Sequence, residues 1–565
     1  MWLKNILANK EQKQLLLLTL FIIIVTCGCF IYPSMPWGAD MKFHLSRISS
    51  LRDAILLEYD FPIKIYPNYF NSNGYGNGLF YPDIFLYIPA YLAVLGCDII
   101  TTYKLLLLGC TIISIISMYK CSKLIIGNHK AALCCSLVYI MSGYRMYDIF
   151  IRGAIGEILS ITFIPLVIYG LYNIIKGNIH KWPIFIIGFS SVLLSHIISS
   201  LLLIILLIII TLLNIKSLYK DRKRLYLLIG TIIGTFLITS YFYMPFIEQI
   251  VSDEFVLTNE TVHYTIENTT LPISYLFLDL NLGYPVNPSN ILSIKYISGI
   301  GIFSLISIIL YIANINKYRH QNYFVFNLFI ICILFTIPIS NLFPWNHVLK
   351  IFPQLSAIQF SWRFNIINIF TYTIIIGFIY KNIQNYFKNC FKIILIYYSI
   401  VAIIHILIPY TFFIYSEYLG GNTRFDKYVV SGGEYLPIEA SRIDLDNYQH
   451  NKNIITSFTQ IKDTYQISYT IDNNSNHIEL PILFYKGYKA YNDNQIIPIY
   501  KTKNGMIGIS PTKKSATIVI TYRGTFIQRI FNSLSLFSII CIIILIYYQK
   551  SSNKLQKNNV IRSLK

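Results

Sequence analysis

The chain has 565 residues, of which 55% are hydrophobic, 16% aromatic and only 13% charged. A composition this apolar excludes an ordinary soluble enzyme and reads as a protein that crosses a membrane many times. Lys and Arg (46) exceed Asp and Glu (26), but the basic residues fall in short loops between apolar runs, where the positive-inside rule places them, so the excess does not point to nucleic acid.

Taken in order, the basic N-terminus (Lys4, Lys10, Lys13) stays inside and residues 14–32 cross outward. No small-residue cleavage site follows, so this first helix reads as a retained anchor. A polar stretch from Pro33 to Phe80 comes next, with Asp40 near its start behind a Pro36–Gly38 turn and His44 at helical i,i+4 spacing. Arg47 and Arg52 follow on the same stretch, and Asp53, Glu58 and Asp60 read as solvated charges. The run 79–96, interrupted by Pro82, Asp83 and Pro89, is expected to be re-entrant or interfacial, and 101–119 to cross back to the cluster Lys120, Lys123, His129, Lys130.

Further spans are expected at 131–147, 157–175, 182–196, 198–214, 226–246, 291–313, 322–339, 363–380 and 392–413, with basic segments on the inner side. Residues 414–529 then change character, with period-two alternation (TYQISYTI, NHIELPIL, MIGIS, ATIVITY) separated by the turn signals DNNSN, YNDN and KNG. Such runs predict a small antiparallel β sandwich or jelly roll on the outer side. Residues 530–548 return, and a basic tail stays inside. The expected fold is an all-α polytopic membrane protein of about twelve transmembrane helices with an extracytoplasmic β domain. Its parts are 1–413, the transmembrane domain; 414–529, the β-rich domain; and 530–565, the last helix and tail. The ten cysteines lie in or beside apolar runs and none falls between Thr411 and Phe537. They form no disulfide framework or metal motif, and Cys134–Cys135 read as core residues.

Four polar groups collect on the outer side: Asp40, His44, Arg47 and Arg52; Arg145, Asp148, Arg152 and Glu157 in SGYRMYDIFIRGAIGE; Gln359, Trp362 and Arg363 in LSAIQFSWRF; and Glu434 in SGGEYLP. Ionisable residues at membrane depth are costly and mark functional sites by default. Each also has a structural reading. Asp40 could cap the helix starting at Met41. Asp148, Arg152 and Glu157 could form an internal ion-pair network. Trp362–Arg363 could be an interfacial anchor with a snorkelling cation. His196 and His405, in apolar surroundings, read as packing residues.

These motifs resemble the GT-C superfamily of membrane glycosyltransferases, which keep an acid in the first outer loop and use polyprenyl-phosphate-linked sugars. IRGAIGE looks like the Arg-to-Glu element of oligosaccharyltransferase catalytic subunits, though Glu157 follows Gly156 directly. Over nearly the whole chain the closer resemblance is to bacterial membrane proteins of the YfhO type, also called 6-pyruvoyl-tetrahydropterin synthase-related. It is carried by GADMKFHLSRI, GLFYPDIFLYIPAYL, SGYRMYDIFIRGAIGEILSITFIPL, IQFSWRF, GEYLP and YKGYKAY. Nothing in the chain resembles a zinc-binding soluble synthase, so the label implies no pterin chemistry here.

The resemblance implies a multi-pass protein of the bacterial plasma membrane with both termini cytoplasmic. It implies transfer of a sugar from a polyprenyl-phosphate donor to an envelope glycopolymer or glycolipid in the lipid bilayer. Catalysis falls to Asp40, His44, Asp148 and Glu157, and substrate binding to Arg152, Gln359, Trp362, Arg363 and Glu434. A divalent metal is compatible with the sequence and not required by it. The alternatives are a transporter or flippase of lipid-linked precursors and a noncatalytic assembly scaffold. The absence of a phosphate-binding G-x-x-x-x-G-K-[ST] loop argues against a nucleotide-driven transporter.

Overall fold

A computed structural model gives the fold. It describes residues 9–36, 38–258, 266–279, 284–285, 294–295, 299–418, 428–430, 432–445, 454–471 and 477–563. Trp37 and the turn 472–476 therefore lie outside the described residues.

The principal helices are α1 (Lys10–Cys27), α2 (Met41–Leu56), α3 (Tyr87–Val94), α4 (Ile99–Ile126), α5 (His129–Met141), α6 (Ile155–Ile175) and α7 (Trp182–Leu193). They continue as α8 (Ile197–Leu213), α9 (Arg222–Ser252), α10 (Ile302–Ala313), α11 (Tyr323–Thr336), α12 (Asn365–Ile383), α13 (Cys390–Tyr418) and α14 (Phe526–Ser563). Among the described residues, seven helices are long and apolar enough to cross a membrane: α1, α4, α6, α9, α12, α13 and α14, the α1 and α12 spans including flanking turns. Shorter apolar helices accompany them at Ile84–Val94, Ile179–Leu193, Ile197–Leu213, Ile302–Ala313 and Tyr323–Ile339.

Burial sorts these helices into layers. In α6 and the span that includes α12, 83% of the most apolar window is buried, against 11% in α14. A helix that is apolar all round and covered by protein is a core element, whereas α14 leaves its apolar surface to lipid. The small residues Gly170 of α6 and Gly188 of α7 bring those two backbones together, since a Cβ at Gly170 would lie 2.4 Å from the Phe185 nitrogen. Close backbone approach at small residues is the usual way helices associate in lipid.

Two elements depart from simple spans. Residues 77–94 break into a four-residue helix (Asn77–Phe80), a 3₁₀ turn (Ile84–Leu86) and α3. The eight residues of α3 rise about 12 Å, too little for a hydrocarbon core of about 30 Å, and this is the broken element expected of 79–96. The expected span 131–147 ends early: α5 stops at Met141 because Ser142 is extended (ψ 143°). A short helix (Gly143–Tyr147) and a π-helical turn (Asp148–Arg152) follow, closed by Gly153 in the left-handed region (φ 69°). Such π turns are rare and concentrate at functional sites.

Beyond a two-residue antiparallel pair, β1 (Tyr284–Pro285) with β2 (Ile294–Lys295), the strands lie near the C-terminus. They are β3 (Ile455–Ile461), β4 (Thr464–Thr470), β5 (Ile478–Leu483), β6 (Tyr488–Asn492), β7 (Gln495–Ile497), β8 (Ile499–Lys501), β9 (Met506–Ile509) and β10 (Ser515–Tyr522). They form two antiparallel sheets, ordered β3-β4-β10-β6-β7 and β5-β9-β8. In β4 the inward positions Tyr465, Ile467 and Tyr469 are buried, the alternation the sequence displays. Asp493 and Asn494, both with positive φ (49° and 65°), make the tight turn between β6 and β7.

The sheets share a core with the first polar stretch. Leu483 N–H donates to the Asn73 carbonyl (2.9 Å), and Tyr485 O–H donates to the Tyr435 carbonyl (3.0 Å). The Phe80 and Tyr435 rings stack at 5.4 Å, as do Phe255 and Tyr485 at 6.1 Å. Lys501 is clamped by Asp253 and Glu439, each at 2.6 Å. Aromatic stacking and paired charges thus fix the β-rich region against the helical one.

Candidate functional site

The site is built where the two interior helices begin. Glu157, in the first turn of α6, is 1% exposed. Its Oε1 accepts from Arg152 Nη1 (2.8 Å) and Arg363 Nε (3.1 Å), and its Oε2 accepts from Tyr144 O–H (2.6 Å). Arg152 Nη1 also reaches Asp148 Oδ1 (3.1 Å). The ion-pair network that the sequence allowed for Asp148, Arg152 and Glu157 is therefore present, and it extends to Arg363. Buried charges persist only when paired and hydrogen-bonded in this way. Asp148 Oδ2 is buried without a hydrogen-bond partner among the described residues.

Asp40 is brought to this network by two glycines. Ala39 N–H donates to the Ile151 carbonyl (3.3 Å) and Asp40 N–H to the Arg152 carbonyl (2.7 Å). A Cβ at Gly38 would sit 2.5 Å from the Arg152 carbonyl carbon, and one at Gly153 would sit 2.6 Å from Met41 Cβ. Only glycine allows the two chains to lie so close. The Asp40 carboxylate lies 3.6 Å from Arg152 Nη2 with 37% of its side chain exposed. It makes no capping hydrogen bond to α2, so the cap reading fails. Burial raises the Asp40 pKa above the usual Asp value against the pull of Arg152, with Glu157 adding to the rise.

His44 lies one turn further along α2. Arg47 Nη1 contacts its Nδ1 at 3.4 Å. Arginine only donates, so that nitrogen accepts and the ring proton sits on Nε2. Burial and the Arg47 charge push the His44 pKa well below the usual value, which keeps the ring neutral. Arg47 is itself fixed, donating to the Pro82 carbonyl (2.7 Å) with its guanidinium 4.0 Å from the Tyr81 ring centroid. One of the charges expected to be solvated is tethered instead: Asp53 pairs with Arg52 (2.6 Å) and accepts from Tyr428 and Asn68. Glu58 and Asp60 are exposed, as expected, with Glu58 beside Lys462 (2.6 Å) at the surface.

Arg363 is 6% exposed, too buried for a snorkelling cation, so the anchor reading fails for it. Its Nη1 donates to the Ile358 carbonyl (2.9 Å) and Gln359 Oε1 (2.7 Å), and its guanidinium stands 4.9 Å from the Phe360 ring centroid. Gln359 has φ 65° and ψ −44°, and Phe360 N–H closes a γ-turn around it onto the Ile358 carbonyl (2.7 Å). A non-glycine residue in that turn is strained, and such strain gathers at ligand-binding sites. Trp362 stacks on Phe360 at 4.4 Å, and its indole Nε1 is buried without a partner among the described residues.

These segments enclose a cavity of about 520 Å³. Of the candidate residues, Asp40, His44, Arg152, Gln359, Trp362, Arg363 and Glu434 line it, while Asp148 and Glu157 stand behind it as partners of the arginines. Burial and the charge of Asp40 raise the Glu434 pKa. The cavity also takes in Tyr81 and His196, which sequence reasoning left out. His196 caps α8, its Nδ1 accepting from Ser199 N–H (3.3 Å) and lying 2.8 Å from Ser199 Oγ. The only signal was the Ser three residues on. His405 behaves as expected of a packing residue, its Nδ1 2.8 Å from the Val401 carbonyl. Among the described residues no cluster of three His, Cys, Asp or Glu side chains could hold a metal ion.

If Glu157 is the anchor of two buried guanidiniums, Glu157→Ala leaves Arg363 without an ion-pair partner among the described residues and Arg152 with Asp148 and the more distant Asp40. Thermal unfolding in detergent should show a loss of about 3–5 kcal/mol. Asp40→Asn, facing the cavity, should leave the unfolding temperature close to wild type.

No curated protein matches the chain. Residues 79–412 match a membrane-protein family described as the 6-pyruvoyl-tetrahydropterin synthase related domain. The match takes in Arg152, Glu157, Gln359, Trp362 and Arg363 and leaves Asp40, His44 and Glu434 outside it. With more than half of its length matched, the chain belongs to the 6-pyruvoyl-tetrahydropterin synthase-related family of membrane proteins.

Proposed function

We propose that this membrane protein is a glycosyltransferase of the GT-C type, moving a sugar from a polyprenyl-phosphate donor to an acceptor in the cell envelope. The observation that carries the reading is the meeting of Asp40 with Arg152 and Arg363, from three distant segments, around one cavity. In this reading Asp40 takes the proton of the acceptor hydroxyl as its oxygen attacks the anomeric carbon. The bond between that carbon and the phosphate oxygen breaks, and the phosphate leaves with the electron pair. Arg363, supported by Arg152, neutralises it. Arg363 is suited to this because its assigned hydrogen bonds to protein use Nε and Nη1. Glu157 and Asp148 hold the arginines, and Gln359, Trp362, His44 and Glu434 shape the sugar side. The apolar surfaces near 79–96 and 355–370 receive the lipid tail.

The reading carries a topology: about twelve crossings, a bacterial plasma membrane, both termini cytoplasmic, and the β-rich region 414–529 outside as a sandwich. In a Cys97→Ser background, Thr512→Cys should label from the outer side and Lys216→Cys from the inner side with an impermeant maleimide. Labelling of both from one side would overturn this arrangement.

Purified protein should consume polyprenyl-phosphate sugars and release the lipid phosphate. Asp40→Asn should lower that rate on the order of 10²-fold or more, with folding intact. Full activity in the variant would move the chemistry to another group, and no donor consumption by wild type with any lipid-phosphate sugar would favour a transporter. The base form of Asp40 exists only above its pKa, which burial raises. Transfer should therefore fall as pH drops through a limb lying above the ordinary Asp range. An acid limb at the value of an exposed Asp would contradict Asp40 as the base.

A further inference from the structure

A second cavity, of about 270 Å³, opens away from the site just described, where the first polar stretch, the strands and the start of α14 meet. Its lining includes Lys64, Arg523, Arg529 and Asn532. Lys64 is 6% exposed, and its only assigned hydrogen bond is a long one (3.4 Å) to the Tyr241 carbonyl. That carbonyl belongs to α9 and lacks its helical partner, since residue 245, four positions on, is a proline with no N–H. The ammonium also lies 5.5 and 5.9 Å from the Tyr241 and Phe242 ring centroids. Among the described residues no carboxylate pairs with it. Burial pulls its pKa down to about 8, against the pull of Asp83, so the cavity holds a cation that lacks a close anion.

The other groups add to this. Arg523 is shared between Asp60 (3.7 Å) and Asp463 (3.6 Å). Arg529 is exposed and makes no ion pair among the described residues. Asn532 Oδ1 is buried with no donor reaching it among the described residues. Asp60 and Asp463 line the same cavity but both face Arg523, so the cavity presents Lys64 and Arg529 as cations without a paired carboxylate among the described residues, and one unpartnered hydrogen-bond acceptor.

Arg529 joins this polar cavity to an apolar surface. It also borders a shallow groove along α14 lined by Phe526, Ile530, Leu534 and Phe537. Those residues recur at i, i+4, i+8 and i+11, one face of the helix, while Gln528 and Asn532 lie on the neighbouring face toward the polar cavity. Phe526 and Phe537 are 71% and 64% exposed. α14 is long and apolar enough to span a membrane, and this is the end at which the strands precede it. The groove and cavity therefore fall at a membrane surface, where acyl chains give way to headgroups.

We propose that the polar cavity and the adjoining α14 face form a binding site for an anionic, hydroxyl-bearing phospholipid. Its phosphate lies by Lys64 and Arg529, a headgroup hydroxyl donates to Asn532, and an acyl chain lies along Phe526, Ile530 and Phe537. The inference is independent of the glycosyltransferase reading, because it uses no residue of that cavity.

The test uses the full chain, delipidated in detergent and offered equal amounts of phosphatidylglycerol and phosphatidylcholine, with bound lipid read by native mass spectrometry. Wild type should retain phosphatidylglycerol about 5- to 30-fold over phosphatidylcholine, the size expected of one or two cations at a lipid surface. Lys64→Met and Arg529→Gln should each remove most of that preference, and Arg529→Gln, at an exposed position, keeps the test clear of misfolding. Equal retention of the two lipids by wild type, or an unchanged preference in Arg529→Gln, would overturn the proposal.

Discussion

The Glu157 carboxylate, buried between two guanidiniums, is the interaction on which the rest of the site depends. It joins the N-terminal ends of α6 and α12, the two most enclosed of the membrane-length helices among the described residues, through Arg363 at 3.1 Å, and reaches the π turn through Arg152 at 2.8 Å. A carboxylate in the first turn of a helix is already favoured by the helix dipole, and the two cations complete its neutralisation. Without it, Arg363 would be buried with no carboxylate partner among the described residues, and Arg152 would depend on Asp148 and Asp40. With it, their remaining donors are held toward the cavity in a fixed orientation, which is what binding an anion requires.

Around that anchor the fold brings in the more exposed groups. Backbone hydrogen bonds at Ala39 and Asp40 dock the first polar stretch on the Arg152 turn, so Asp40 is positioned by main chain rather than by its own carboxylate. The γ-turn at Gln359 fixes a side chain that in turn orients Arg363. The β-rich region takes part as well: the turn that carries Glu434 is held by Leu257 N–H on its carbonyl (2.7 Å) and by Tyr435 stacked on Phe80. The first turn of α6 and the short turns before α6 and α12 supply the buried charges, loops supply the more exposed cavity-lining groups, and the aromatic contacts keep the loops in register.

Much of this was legible in the residues themselves. The i,i+4 pair Asp40–His44, the Arg152 and Glu157 spacing, the SWRF segment and the glycine-flanked Glu434 are polar exceptions in an apolar chain, and seven of the nine residues expected to act in catalysis or substrate binding line one cavity. The alternation in β4 and β10 was equally plain, because a half-buried strand writes its burial into every second residue. Other features leave no local trace. Arg363 and Glu157 are 206 positions apart, and no short-range pattern pairs them. The positive φ of Gln359 falls on a residue with no local preference for it. His196 sits in the apolar run SSVLLSHIISS and reads as core until α8 is placed against the cavity.

The central claim is that this cavity holds the phosphate of a lipid donor between the arginines and Asp40. The most direct measurement is an experimental structure of the protein bound to a non-transferable polyprenyl-phosphonate sugar. The account predicts phosphonate oxygens within hydrogen-bonding distance of Arg363 and the sugar's anomeric carbon on the side facing Asp40. An analogue bound with its phosphonate remote from Arg152 and Arg363, or a cavity left empty while the lipid sits between helices near the bilayer midplane, would contradict it.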